Sequence, residues 1–155
     1  MYKKILVALE NGRADDTLIP HVTALAKRLG SELLLVHVAD GFAARNFEQL
    51  KLAESDEMKA DQAYLDGVAA RLRAADLVVK TRLALGNPPT EIVKTAAAQQ
   101  CDLIAMTSHG HKFLGDLLHG STIDKVRHNT HVPLFVVRAG TSSRPPFEEA
   151  GTPEI

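Results

Sequence analysis

Five short apolar runs punctuate the chain: "KILVAL" (4–9), "ELLLVHV" (32–38), "LVVKTRLAL" (77–85), "DLIAMT" (102–107) and "PLFVVR" (133–138). Most are continuous rather than alternating. A strand with one wet face alternates, whereas a strand covered on both faces does not, so the runs predict a parallel sheet with helices on each side. The third run alternates in part. Between the runs the period changes to that of a helix. In 16–29, Leu18, Val22, Leu25 and Leu29 fall on one face, and Gly30 follows as a left-handed cap. Pro20 fits there only if the helix begins just before it. Residues 55–75 carry Leu65, Val68 and Leu72 on one stripe. "GNPPTEIVKTAAAQQ" provides Asn87 as N-cap and Pro88 as first helical residue, and a last helix covers 121–129. Strand and helix alternate throughout. This predicts a doubly wound, Rossmann-like α/β fold: a five-stranded parallel sheet with right-handed crossovers and strand order 3-2-1-4-5.

Two stretches lack either period. Residues 40–54, "DGFAARNFEQLKLAE", read as a long connection, either a lid or a surface segment. Residues 139–155, "AGTSSRPPFEEAGTPEI", read as a flexible tail on a single domain of residues 1–138.

Composition narrows the partners. Among 155 residues, 18 are basic and 19 acidic, for a net charge of −1. Neither nucleic acid nor an anionic membrane surface is an expected partner, since both usually call for a basic excess. No run approaches the roughly 20 apolar residues of a membrane span. The opening "MYKKILVALENG" is too short in its apolar part for a signal peptide and reads as a strand. The single cysteine, Cys101, is expected to be a packed small hydrophobe. A cytoplasmic location follows as an expectation.

The candidate chemistry lies in "SHGHKFLGDLLHGST" (108–122), with three glycines and three histidines. In an open parallel sheet, ligands bind beyond the carboxyl ends of the strands, where the winding reverses. For order 3-2-1-4-5 that point lies between the first and fourth strands, at Leu9–Glu10–Asn11 and Met106–Thr107–Ser108. Gly110 and Gly115 permit tight turning and close approach to a ligand. Gly120 and Ser121 open the last helix, whose unpaired N–H groups and dipole suit a phosphate; the hydroxyls of Ser121 and Thr122 can add bonds. On the residues alone, a phosphate loop and a plain tight loop capped by Ser121 remain equally open.

"MTSHG", nine residues and then "GS" resemble the signature G-x2-G-x9-G-[S/T] of the universal stress protein family. "KKILVAL", "LLLVHV", "GNPPTEIVKTA" and "VPLFVVR" resemble other segments of that family, so the likeness spans residues 2–138. It implies a bound adenine nucleotide, ATP or AMP. Carried over by position, Ala8 and Glu10 would lie along the nucleoside and Val38 would meet adenine through its backbone. Met106 and Thr107 would flank the ribose and phosphate path. Gly110, His111, Gly120, Ser121 and Thr122 would surround the phosphates. Thr107 departs from the pattern, which has glycine there, and Glu10 stands where Asp is common. The resemblance also implies a homodimer through the last strand (132–138), an apolar edge that pairing would protect; coverage of that edge by the tail is the intrinsic alternative.

His109, His111 and His119 lack companion ligands at metal spacing, so no dedicated metal site is expected. Mg2+ or Mn2+ travelling with ATP is the more natural ion, because phosphates supply most of its ligands. His37 is expected to be a hydrogen-bonded core residue, and His128 and His131 helix-end or surface groups. "ENGRADD" lacks the Ser/Gly phosphate loop of ATP pyrophosphatases, Lys112 stands outside any Walker motif, and no nucleophile–base pair is evident. The expected function is that of a nucleotide-dependent stress regulator rather than a dedicated enzyme. A slow ATPase and a nucleotide-free dimeric interaction module are the alternatives.

Overall fold

In the computed structural model, which describes residues 1–40, 47–108 and 122–139, strands and helices alternate along the chain. Strand β1 is Lys4–Leu9, α1 Arg13–Leu29, β2 Glu32–Asp40, α2 Phe47–Ala74 and β3 Val79–Gly86. Then come α3 Pro88–Ala98, β4 Leu103–Ser108, α4 Thr122–Asn129 and β5 Leu134–Arg138. All neighbouring strands are parallel, in the order β3-β2-β1-β4-β5. The expected doubly wound α/β fold is therefore the observed one.

Alternation of side chains along each strand sorts the core into two layers. Ile5, Val7, Leu9, Leu33, Leu35, Leu103 and Ala105 pack against Leu18, Val22 and Ala26 of α1 and Leu65, Val68, Ala69 and Leu72 of α2. Leu6, Ala8, Leu34, Val36, Ile104 and Met106 pack against Ile92 and Ala96 of α3 and Val126 of α4. The central strands β1 and β4 bury both faces, which is why their sequences do not alternate. Strand β3 lies at an edge and alternates between more and less covered positions over Val79–Leu83.

Several local expectations hold. Gly30 closes α1 at φ 67°, ψ 36°. Asn87 caps α3, its Oδ1 accepting from the Thr90 N–H at 3.3 Å, with Pro88 next in the first turn. Cys101 is buried just before β4, and burial pushes its thiol pKa up, consistent with a packing role. Asp102 fastens the starts of β1 and β4: its carboxylate accepts from Lys3 N at 2.8 Å and Lys4 N at 3.0 Å.

Two boundaries differ from expectation. Helix α1 begins at Arg13, so Pro20 lies inside it rather than in its first turn. The bond that Pro20 cannot donate would go to the carbonyl of Asp16, a solvent-exposed residue, where water can replace it. Helix α2 begins at Phe47, so much of 40–54 is helical rather than an irregular connection. "FEQLKLAE" is built of strong helix formers without Gly or Pro, and propensity there succeeds where apolar periodicity is weak. Residues 41–46 and the tail from 140 onward lie outside the described residues; Ala139 continues from β5 by donating its N–H to the Ser108 carbonyl at 2.9 Å.

Candidate ligand crevice at the switch point

Strand β1 leads to α1 on one side of the sheet, and β4 leads toward α4 on the other. Their carboxyl ends therefore part at the centre of the molecule. Ala8, Val38 and Met106 come together on the α3/α4 side of the sheet at these ends, Ala8 and Met106 buried and Val38 partly so. Glu10 is exposed just beyond β1. Thr122 is the exposed first residue of α4. Gly110, His111, Gly120 and Ser121 lie outside the described residues, as do His109 and His119.

Thr107 is buried, with 5% of its surface exposed. It follows Leu103 and Ala105 at the spacing of two, which places its side chain on the α1 side, opposite Met106. Its Oγ1 is enclosed and has no hydrogen-bond partner among the described residues. Enclosed hydroxyls are normally paired, so this atom at the end of a central strand stands out.

The β1 side of the crevice, at Glu10 and Asn11, is held by three groups that the sequence did not single out: Asp15, Asp61 and Tyr64. Asn11 adopts φ 58°, in the left-handed region. Asp15, in the first turn of α1, has no exposed surface. Its Oδ1 accepts from Glu10 N at 2.9 Å, and its Oδ2 accepts from Asn11 N at 2.8 Å. The same Oδ2 accepts from the hydroxyl of Tyr64 on α2 at 2.6 Å. Burial first, and then the bond to the Asp15 carboxylate, push the Tyr64 pKa well up, so this hydroxyl keeps its proton and donates. Asn11 Nδ2 donates to Asp61 Oδ1, also on α2, at 2.9 Å. Asp61 Oδ2 faces His37 Nε2 at 3.6 Å, and His37 Nδ1 lies 2.9 Å from the Leu9 carbonyl. A carbonyl only accepts, so Nδ1 carries the hydrogen of that bond. His37 is thus hydrogen-bonded within the fold, as expected.

A partial signal for Asp15 was present: an acid three residues after Gly12 can reach back to free N–H groups at a helix start. Nothing in the local sequence points to Asp61 or Tyr64, which meet Asn11 and Asp15 only through the tertiary fold. Among the described residues, no group of three or more His, Cys, Asp or Glu is placed to hold a metal ion.

Fold and crevice together define a doubly wound parallel α/β protein with a candidate ligand site at its winding reversal. The chain belongs to the universal stress protein family, whose model matches residues 1–138. It is 30% identical to universal stress protein MJ0577 of Methanocaldococcus jannaschii, an alignment covering 92% of this chain and 98% of that protein. A solved structure of MJ0577 is similar at TM-score 0.80 and 28% identity, over 92% of this chain and 99% of that one. The same fold occurs in a universal stress protein in complex with cAMP, at TM-score 0.68 and 16% identity, covering 90% of this chain and 98% of that one. It occurs also in the universal stress protein from Archaeoglobus fulgidus in complex with dAMP, at TM-score 0.61 and 18% identity, over 87% and 97% of the respective chains.

Proposed function

We propose that the crevice between β1 and β4 binds an adenine nucleotide, AMP or ATP, and that occupancy regulates the protein's interactions in a stress response. The observation that carries this reading is the winding reversal itself, bounded on one side by the pinned Glu10–Asn11 turn and on the other by Thr107. Family membership supports it, as do relatives of the same fold that are complexes with cAMP and dAMP. In this reading Ala8, Glu10 and Val38 receive the nucleoside, and Met106 and Thr107 border the ribose. Gly110, His111, Gly120, Ser121 and Thr122 receive the phosphates. ATP brings Mg2+ or Mn2+ with it, held mainly by phosphate oxygens. The domain is residues 1–138, it works in the cytoplasm, and it forms a homodimer through 132–138. Strand β5 supports the dimer: among the described residues it pairs only with β4 in the sheet, and Val136 is 44% exposed on it.

Calorimetric titration with AMP, ADP and ATP tests the central claim. Saturable binding of at least one is expected, and absence of heat at millimolar nucleotide refutes it. A nucleotide-free interaction module is the second reading, favoured by Thr107, whose Cβ occupies the place of the signature's first glycine. It predicts the same oligomer with and without nucleotide. Turnover of bound ATP that Glu10→Gln abolishes would instead establish a slow ATPase.

A further inference from the structure

The Glu10–Asn11 turn is held far more firmly than a chain reversal requires. Leu9, Glu10 and Asn11 are consecutive, and each is tied to the same buried polar set. The Leu9 carbonyl accepts from His37 at 2.9 Å; the N–H groups of Glu10 and Asn11 both go to Asp15, at 2.9 and 2.8 Å. The Asn11 side chain, which commonly bonds its own turn, reaches across to Asp61. Gly12 follows directly and could take the left-handed conformation without cost, yet Asn11 takes it, at φ 58°. Backbone of this kind persists where its surroundings over-determine it, and such places cluster at ligand sites. Two anchors of the set, Asp61 and Tyr64, belong to α2, which packs on the sheet beside α1 and is remote in sequence from the signature.

We propose that Asp61 and Tyr64 are positioning residues for the crevice. Acting through Asn11 and Asp15, they hold the turn so that Glu10 is presented to the nucleoside in one conformation. This rests on the nucleotide reading above. It adds that the Asp61–Tyr64 turn of α2 is energetically coupled to ligand binding, so that displacing these two side chains changes affinity.

The test uses the full chain, with adenosine and AMP titrated separately into wild type, Tyr64→Phe, Asp61→Leu, Asp61→Asn and Leu72→Val. Tyr64→Phe and Asp61→Leu each remove one anchor of the turn. Both should weaken adenosine and AMP by the same factor, about tenfold, because the turn meets the nucleoside rather than the phosphate. Asp61→Asn keeps an acceptor for Asn11 and should recover most of the loss. Leu72→Val opens a small gap near the far end of the same helix and should leave both affinities at wild-type values, even where its urea midpoint falls as much as that of Tyr64→Phe. Amide hydrogen exchange at Glu10 and Asn11 should quicken in Tyr64→Phe without any ligand. Wild-type affinity in Tyr64→Phe, or an equal loss in Leu72→Val, overturns the inference while leaving nucleotide binding intact. A wild-type chain that binds neither ligand overturns both.

Discussion

Replacing Asp15 with asparagine probes the centre of this network with almost no change in shape. The native carboxylate accepts from Glu10 N, Asn11 N and the Tyr64 hydroxyl, and it has no exposed surface. An asparagine has one accepting oxygen. Its best placement puts that oxygen at the Oδ2 position, serving Asn11 and Tyr64, and leaves the Glu10 N–H facing an amide NH2. A buried donor without a partner costs about 1–3 kcal/mol, and the two remaining bonds lose charge assistance worth about 0.5–1 kcal/mol each. Asparagine is cheaper to bury than a carboxylate, which offsets part of this. The expected net loss is about 2–3 kcal/mol, or roughly 4–12 °C in Tm for a chain of this length. Urea unfolding followed by circular dichroism measures it, and an unchanged m-value keeps the comparison within two-state limits. A double-mutant cycle with Tyr64→Phe should return a coupling of about 1 kcal/mol, since the tyrosine bond is already weakened in the asparagine variant. If the asparagine variant unfolds within about 0.5 kcal/mol of wild type, the carboxylate does not hold the turn as described.

Other substitutions probe separate parts of the molecule. Thr107→Val removes an enclosed hydroxyl that has no partner among the described residues while keeping the side chain's shape, so the ligand-free protein should be stabilised by up to about 1 kcal/mol in urea unfolding; a loss instead would mean that the hydroxyl is paired in solution. Although its slight burial works the other way, the Asp102 carboxylate is held below the usual range by the N–H groups of Lys4 and Lys3. Its contribution is therefore present above the unfolded carboxylate pKa and fades as pH falls through the lower folded value. Asp102→Asn should cost under about 1 kcal/mol at neutral pH, because the group is partly solvated, and the gap from wild type should close in acid; a gap independent of pH would contradict this. Gly30→Ala meets no atom within 4 Å, so its cost is that of the left-handed backbone alone, about 1 kcal/mol by thermal unfolding. Val136→Lys places a charge on the exposed part of β5 and, under the proposed β5 dimer, should convert a dimeric wild type to a monomer in analytical ultracentrifugation; a dimer unchanged by the substitution would move the interface elsewhere, and a monomeric wild type would refute the dimer.

The two layers of the core were legible because burial on both faces leaves a direct trace. Ile5 through Leu9 and Leu103 through Met106 are apolar without a break, and only a central parallel strand needs that. Capping was legible at Gly30 and Asn87 because each acts on its immediate neighbours. The start of α1 was not. Pro20 is a strong local signal, but here it was overruled by contacts that anchor the first turn, above all Asp15, together with an exposed position for the carbonyl left without its partner. The start of α2 was missed because its first residues favour helix through propensity rather than a clear apolar stripe.

The sequence by itself determined the class of fold, the place where the winding reverses and, through "MTSHG" and "GS", the family. Each of these follows from short-range order: a period, a cap, or a spacing along one segment. Only the tertiary structure decided how the β1 side of the crevice is built. Asn11 meets Asp61, and Asp15 meets Tyr64, across nearly fifty intervening residues. Acids and a tyrosine on a helix usually read as a solvated face. Parallel strands and crossover helices turned these into a clamp around the buried Asp15 and Asp61, because the fold brings α2 beside the turn after β1, where two N–H groups and the Asn11 amide need acceptors.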